Sequence, residues 1–177
     1  WVPKHFEGAY DREVELEPVA DSFTYGGNTS QNNGSQTYFS AKDGSGTSSD
    51  RIIYIRFDLS GLSNYPSSAT LSLRSTANTQ AGTVTAREVT GAGADTWVES
   101  MITYANQPSS TGAALDTATV AAGVSADVTL DVTSFVQQEY LGDKVVTIAI
   151  TGDASGLVTF TAKEGTLANR PFLLIGQ

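Results

Sequence analysis

Apolar residues along this chain recur at every second position, in short runs divided by Gly, Asn, Asp and Ser. That period belongs to strands with one buried face, and no stretch keeps the 3.6-residue period of a long helix. The clearest run is 51–59. Ile53, Ile55, Phe57 and Leu59 fall on one face, and Ile52, Tyr54, Arg56 and Asp58 on the other. A strand is predicted over 18–24, with Val19 on one face. Over 37–42, Phe39 and Ala41 alternate with Tyr38, Ser40 and Lys42, and Asp43-Gly44-Ser45-Gly46 then turns the chain. Ala69, Leu71 and Leu73 set another inward face, and further strands are predicted over 83–89, 126–132, 145–151, 157–162 and 172–175. Nine or ten such strands predict an all-β fold, a jelly-roll β-sandwich of two antiparallel sheets with at most one short helix. That helix is expected over 134–140, capped by Thr133 or Ser134, ended by Gly142, and closing one end of the sandwich with Val136 and Tyr140. The stretch 109–125, mostly Ala, Gly, Ser and Thr, reads as a long surface loop. Residues 1–16 mix Trp1, Phe6 and Tyr10 with Glu7, Asp11, Glu13 and Glu15. They read as an N-terminal extension or linker, or an added strand docked on the module of residues 17–177.

Composition narrows the setting. The 177 residues, 40% of them hydrophobic, suffice for one domain with its own core. No apolar run is long enough to span a bilayer. No signal peptide is visible at Trp1-Val2-Pro3-Lys4-His5, as expected of a mature or excised chain. The chain has no cysteine, which removes disulfides and thiolate metal sites. Its formal net charge of -9 argues against nucleic acid or an anionic membrane as partner. Acidity with abundant Gly, Ser and Thr is the look of an extracellular or cell-surface β-protein, here expected to be a monomer. The single histidine, His5, lies in the unplaced N-terminal tract, where no Ser-His-Asp triad or zinc site is marked. No catalytic residue is assigned, and the chain is not expected to be an enzyme.

Several segments fall in a telling order: Val19-Ala20-Asp21-Ser22-Phe23, Asn32-Asn33-Gly34-Ser35, the strand Arg51 to Ser60, Thr96-Trp97-Val98-Glu99 through Asn106-Gln107-Pro108, Asp131-Val132-Thr133, Phe160-Thr161-Ala162-Lys163-Glu164 and Arg170-Pro171. Together they resemble the DNRLRE-type domains, which include carbohydrate-binding module family 96, over roughly residues 18–176. The resemblance implies a jelly-roll sandwich attached to a polysaccharide lyase or a microbial surface protein, with alginate or a related polyuronate as ligand. Tyr104-Ala105 departs from that pattern, which often has a second Trp and an Asn there.

A polyuronate carries one carboxylate per sugar, so its site needs Arg forks or Lys point charges along a groove. Lys42 and Arg56 point away from the apolar phase of their strands, which are taken as neighbours. Arg51 begins its strand in phase with the core and is read as emerging at the sheet edge, or as a structural partner of Asp58 or Glu164. Lys163 points opposite to Phe160 and Ala162. The resemblance places basic positions at Lys42, Arg51, Arg56 and Lys163, and these four are the expected ligand cluster. Tyr38 and Tyr54, outward beside Lys42 and Arg56, are candidate sugar platforms, against ordinary cross-strand pairing. Trp97 reads as a loop anchor packed on the sandwich. A structural Ca2+ is expected to use Asp21, with Glu15 and Glu17 next; calcium takes six to eight oxygen ligands.

Two rival functions remain. One is a structural or adhesive domain of a microbial surface protein. The other is a jelly-roll polysaccharide lyase, for which Tyr38-Phe39-Ser40-Ala41-Lys42 resembles a Tyr-Phe-Lys-Ala-Gly strand but lacks the partner Gln-x-His strand.

Overall fold

The computed structural model describes residues 12–46 and 48–177. Its strands, in chain order, are β1 (Glu13–Leu16), β2 (Ala20–Tyr25), β3 (Tyr38–Ala41), β4 (Arg51–Asp58), β5 (Ser68–Arg74), β6 (Gly82–Glu88), β7 (Ala114–Val120), β8 (Asp127–Asp131), β9 (Val145–Gly152), β10 (Val158–Thr161) and β11 (Phe172–Gly176). One helix, α1 (Thr133–Leu141), lies between β8 and β9. The fold is an all-β sandwich of jelly-roll type, and every strand pairing is antiparallel. A four-stranded sheet runs β1-β11-β5-β8, and a five-stranded sheet runs β2-β4-β9-β6-β7. The third piece is a two-stranded ribbon, β10-β3. Single bridges tie it to both sheets, Lys42 to Arg51 and Ser75 to Phe160.

The period-two pattern accounts for the core. Ile53, Ile55 and Phe57 of β4 are fully buried, against Leu71 and Leu73 of β5, Ile148 and Ile150 of β9, and Leu173 and Ile175 of β11. Phe39 and Phe160 bring the ribbon into the same core, with ring centroids 6.2 Å apart. The helix adds Phe135 and Val136, while Tyr140 is only partly buried. Val132 occupies the N-cap without a side-chain cap, and Gly142 ends the helix as expected. Thr133, expected as the cap, is instead spent on β5. Its hydroxyl accepts from Ala69 N–H at 2.9 Å, and Asp131 Oδ1 receives the Thr133 N–H at 2.9 Å.

Two expectations need correction, and one open alternative is resolved. Within the stretch read as a loop, β7 forms the edge of the five-stranded sheet. Of its residues only Val120 is buried, so its small Ala and Thr side chains show no apolar face to read. Residues 13–16 pair with β11, which is the added strand offered as the alternative to a linker, and residues 1–11 of the expected extension lie outside the described residues. The strands carrying Lys42 and Arg56 are not paired neighbours. β3 ladders with β10 and touches β4 through the Lys42–Arg51 bridge.

A second apolar layer positions the site. Segment 89–113, between β6 and β7, folds over the outward face of the five-stranded sheet. Val89, Ala94, Trp97 and Ile102 cover Ala20, Tyr54 and Ala149 there. Gly34 lets the chain pass close beneath this segment, since a Cβ at that position would lie 2.3 Å from the Glu99 carbonyl oxygen.

Candidate functional site

Beyond the edge of the covering segment the outward face opens into a cleft of ≈ 370 Å³. Lys42, Arg51 and Arg87 line it, together with Asp43, Asp50 and Ser110. Lys42 and Arg51 are cross-strand partners whose backbones exchange two hydrogen bonds of 3.0 Å. The strand ends meet this closely because position 152 is glycine. A Cβ there would lie 2.7 Å from Lys42 N and Cα. The Arg51 guanidinium carbon stands 4.2 Å from the Tyr25 ring centroid, a cation–π contact that holds the fork upright at the cleft edge. Among the described residues, neither the Lys42 ammonium nor the Arg51 guanidinium has an ion-pair or hydrogen-bond partner.

Arg87 closes the far side. Its Nε donates to Thr151 Oγ1 at 3.3 Å and one terminal nitrogen donates to the Gly112 carbonyl at 3.2 Å. The two carboxylates of the cleft are already engaged. Tyr104 donates to Asp50 Oδ2 at 2.9 Å, Gly44 N–H donates to Asp50 Oδ1, and Ser45 N–H donates to Asp43 Oδ1 at 2.6 Å. Three cations against two carboxylates leave a local positive excess in a chain of net charge -9. Such an arrangement of charge can attract an anionic group and offers it charge-assisted hydrogen bonds.

The four expected basic residues do not form one cluster. Arg56 lies five residues along β4 from Arg51, about 17 Å at the strand rise, beneath the covering segment. Its guanidinium donates to the carbonyls of Asp95 at 2.9 Å and Trp97 at 2.6 Å, and stacks 5.1 Å from the Trp97 ring. Tyr54 does not face solvent. It is 0% exposed, tilts against Trp97, and donates its hydroxyl to the Pro108 carbonyl at 2.7 Å. Burial pushes its phenol pKa well up. Trp97 is buried, as expected of an anchor, and its indole N–H reaches Thr147 Oγ1 at 3.3 Å. Tyr38 is 44% exposed and rests against Phe23, ring centroids 5.9 Å apart.

Lys163 belongs to a separate, largely buried cluster around Asp21. Its ammonium donates to Glu99 Oε1 at 2.8 Å and to Glu164 Oε1, and its backbone N–H donates to Asp21 Oδ2 at 2.7 Å. Asp21 N–H in turn donates to Glu99 Oε2 at 3.0 Å. Burial, more than its carboxylate neighbours Glu164 and Glu99, pushes the Asp21 carboxyl up to about 7. Desolvation opposes the charge of Lys163, but its hydrogen bonds to Glu164 and Glu99 outweigh it and raise the ammonium pKa. Asp21, Glu99 and Glu164 lie close enough for one cation to touch all three. The Lys163 ammonium already serves two of the three, Glu99 and Glu164. Glu164 Oε2 is a buried carboxylate oxygen without a partner, against the six to eight oxygens calcium takes. A calcium ion at Asp21 therefore has to compete with Lys163.

Sequence reasoning missed Arg87. It shares the outward phase of its strand with Thr83 and Thr85, and that phase was the signal for it. Tyr25, the support of Arg51, gives no such signal, because the stacking follows from the β2–β4 register that pairs the two residues.

The family model of carbohydrate-binding module family 96 matches residues 12–177. No curated protein matches the chain. Among solved structures, the xylan-binding module CBM15 is 12% identical, with a TM-score of 0.47 and coverage of 94% of this chain and 97% of its own. A likeness that distant bears on neither ligand nor site.

Proposed function

The chain belongs to carbohydrate-binding module family 96, and on that premise we propose that it holds an acidic polysaccharide in the Lys42–Arg51–Arg87 cleft without catalysing a reaction on it. The favoured ligand is alginate or a related polyuronate, whose carboxylates suit an Arg fork beside a Lys point charge. The observation that carries this reading is the pairing of Lys42 and Arg51. Two cations stand side by side at a cleft, with no protein acceptor among the described residues. Tyr38 adds an exposed aromatic face nearby. The module would work outside the cell, bringing an attached lyase or surface protein to its polymer. Among the described residues no helix is long and apolar enough to cross a membrane.

Calorimetry against polymannuronate, polyguluronate and a neutral glucan, at low and raised salt, tests the reading. Uronate-selective binding that weakens with salt is expected, because a partly open cleft is screened. Lys42→Ala should lower the affinity without changing the melting temperature. A well-folded protein silent on every glycan would overturn this proposal in favour of a structural surface domain.

A further inference from the structure

The outward face of β3 carries Tyr38 and Ser40, and Lys42 follows in the same phase. Lys42 belongs to the basic cleft. Ser40 and Tyr38 open instead on an adjoining hollow of ≈ 200 Å³, bounded also by Tyr25, Gln31, Arg51 and Thr159. Arg51 lines both, and the Arg51–Tyr25 stack is the saddle between them. The two compartments share Arg51 and differ in chemistry. The cleft holds three cations, whereas the hollow holds no charged side chain except Arg51 on its rim.

The lining of the hollow suits an uncharged sugar face. Tyr38 offers a ring braced by Phe23, so little conformational freedom is lost when something stacks on it. Ser40 and Thr159 stand directly opposite each other in the β3–β10 ladder. Among the described residues the hydroxyls of Tyr38, Ser40 and Thr159 have no hydrogen-bond partner. Gln31 spends its amide N–H on Asn33 Oδ1 at 2.7 Å, which fixes the amide and leaves its carbonyl oxygen to accept. A flat apolar ring edged by hydroxyls and one amide matches a pyranose, with its C–H face and rim of hydroxyls.

Resting on the reading of the basic cleft as a carboxylate site, we propose that the two compartments take two adjoining sugars by different means. An acidic sugar lies against Lys42, Arg51 and Arg87. Its neighbour stacks on Tyr38 and bonds to Gln31, Ser40 and Thr159, and the carboxylate of that neighbour is not required. The ligand class therefore extends from homopolymers of uronate to polysaccharides in which a uronate adjoins a neutral hexose. Arg51, reaching both compartments, sets the register between the two sugars.

The test is calorimetry on the full chain with a uronate tetrasaccharide and a tetrasaccharide alternating uronate with neutral hexose. The two should bind within about threefold of each other, a difference well under one tenfold step. Tyr38→Ala should weaken both about tenfold, the scale of one lost aromatic contact, while Tyr38→Phe should keep the wild-type affinity. Circular dichroism confirms that each variant is folded. If the uronate tetrasaccharide binds and Tyr38→Ala binds it equally well, the second compartment is not a sugar site and only this inference falls. The same holds if the alternating tetrasaccharide is ignored. If the wild type binds no uronate at all, the carboxylate reading of the cleft falls first.

Discussion

Two arginines on one strand have opposite fates. Arg56 lies in the outward phase of β4 and Arg51 in the core phase, so alternation alone favours Arg56 as the exposed residue. In the fold, Arg56 donates to the Asp95 and Trp97 carbonyls under a second apolar layer. Arg51 lies at the strand end, on Tyr25, with its fork open to the cleft. The phase of a strand residue tells which side of the sheet it takes. It does not tell whether that side is wet. Segment 89–113 covers Arg56 on the outward face, whereas Arg51 escapes the core by lying at the strand end, and this difference separates the cation tied to the covering segment from the one open to the cleft.

Trp97→Ala gives the largest way to break that comparison. It removes the centre of the covering layer and should cost about 3–5 kcal/mol of stability in a urea melt, the range for truncating a buried aromatic. Glycan affinity of the folded fraction should stay near wild type. Full stability with lost binding would make Trp97 a ligand platform and the covered half the true site. Arg56→Ala comes next. Loss of its charge-assisted bonds to two carbonyls should destabilise the fold by about 1.5–3 kcal/mol and leave binding unchanged. Arg51→Ala should do the reverse, with stability within about 0.5 kcal/mol of wild type and uronate affinity down about tenfold, near 1.4 kcal/mol. The opposite pattern in the two arginine variants would exchange their roles.

The same contrast explains what was legible in the sequence. The sandwich could be read from alternation because Ile53, Ile55 and Phe57 pack on one continuous core and must all face it. β7 could not, since an edge strand with one buried side chain has no apolar phase. Trp97 was read correctly as an anchor. Its consequence for Tyr54 and Arg56, which lie beneath it, was missed, because which residues a loop covers is a matter of three-dimensional path. Lys42 and Arg51 are each legible as cations at an outward position or a sheet edge, but the partition into cleft and buried cluster follows from β3 pairing with β10 rather than β4. Lys163 is one turn beyond β10 and about 20 Å along that ladder from Lys42, too far to share one sugar.

The buried cluster makes the last and smallest prediction, one that separates its charge from the charge of the cleft. Asp21 is 1% exposed, and its carboxyl, near 3.8 in an unfolded chain, is pushed up to about 7 in the fold, chiefly by burial. The folded state therefore holds that proton more tightly than the unfolded state. Stability from this group is fully present below about pH 4 and is lost as pH rises through about 7. Between about pH 4 and 7 the protein should soften by at most about 1.4 kcal/mol per pH unit, the ceiling for one proton, and the slope should fade above pH 7. Asp21→Asn should flatten that slope, since the amide oxygen still accepts from Lys163 N–H but cannot ionise. Added calcium distinguishes the two cations that can serve the site. If Lys163 is the working counter-charge, millimolar calcium leaves the melting temperature at pH 8 where it was. A calcium-dependent rise abolished in Asp21→Asn would instead give the site to the metal. Either result leaves the cleft untouched, because Lys42 and Arg51 share no hydrogen bond with Asp21, Glu99, Lys163 or Glu164 among the described residues.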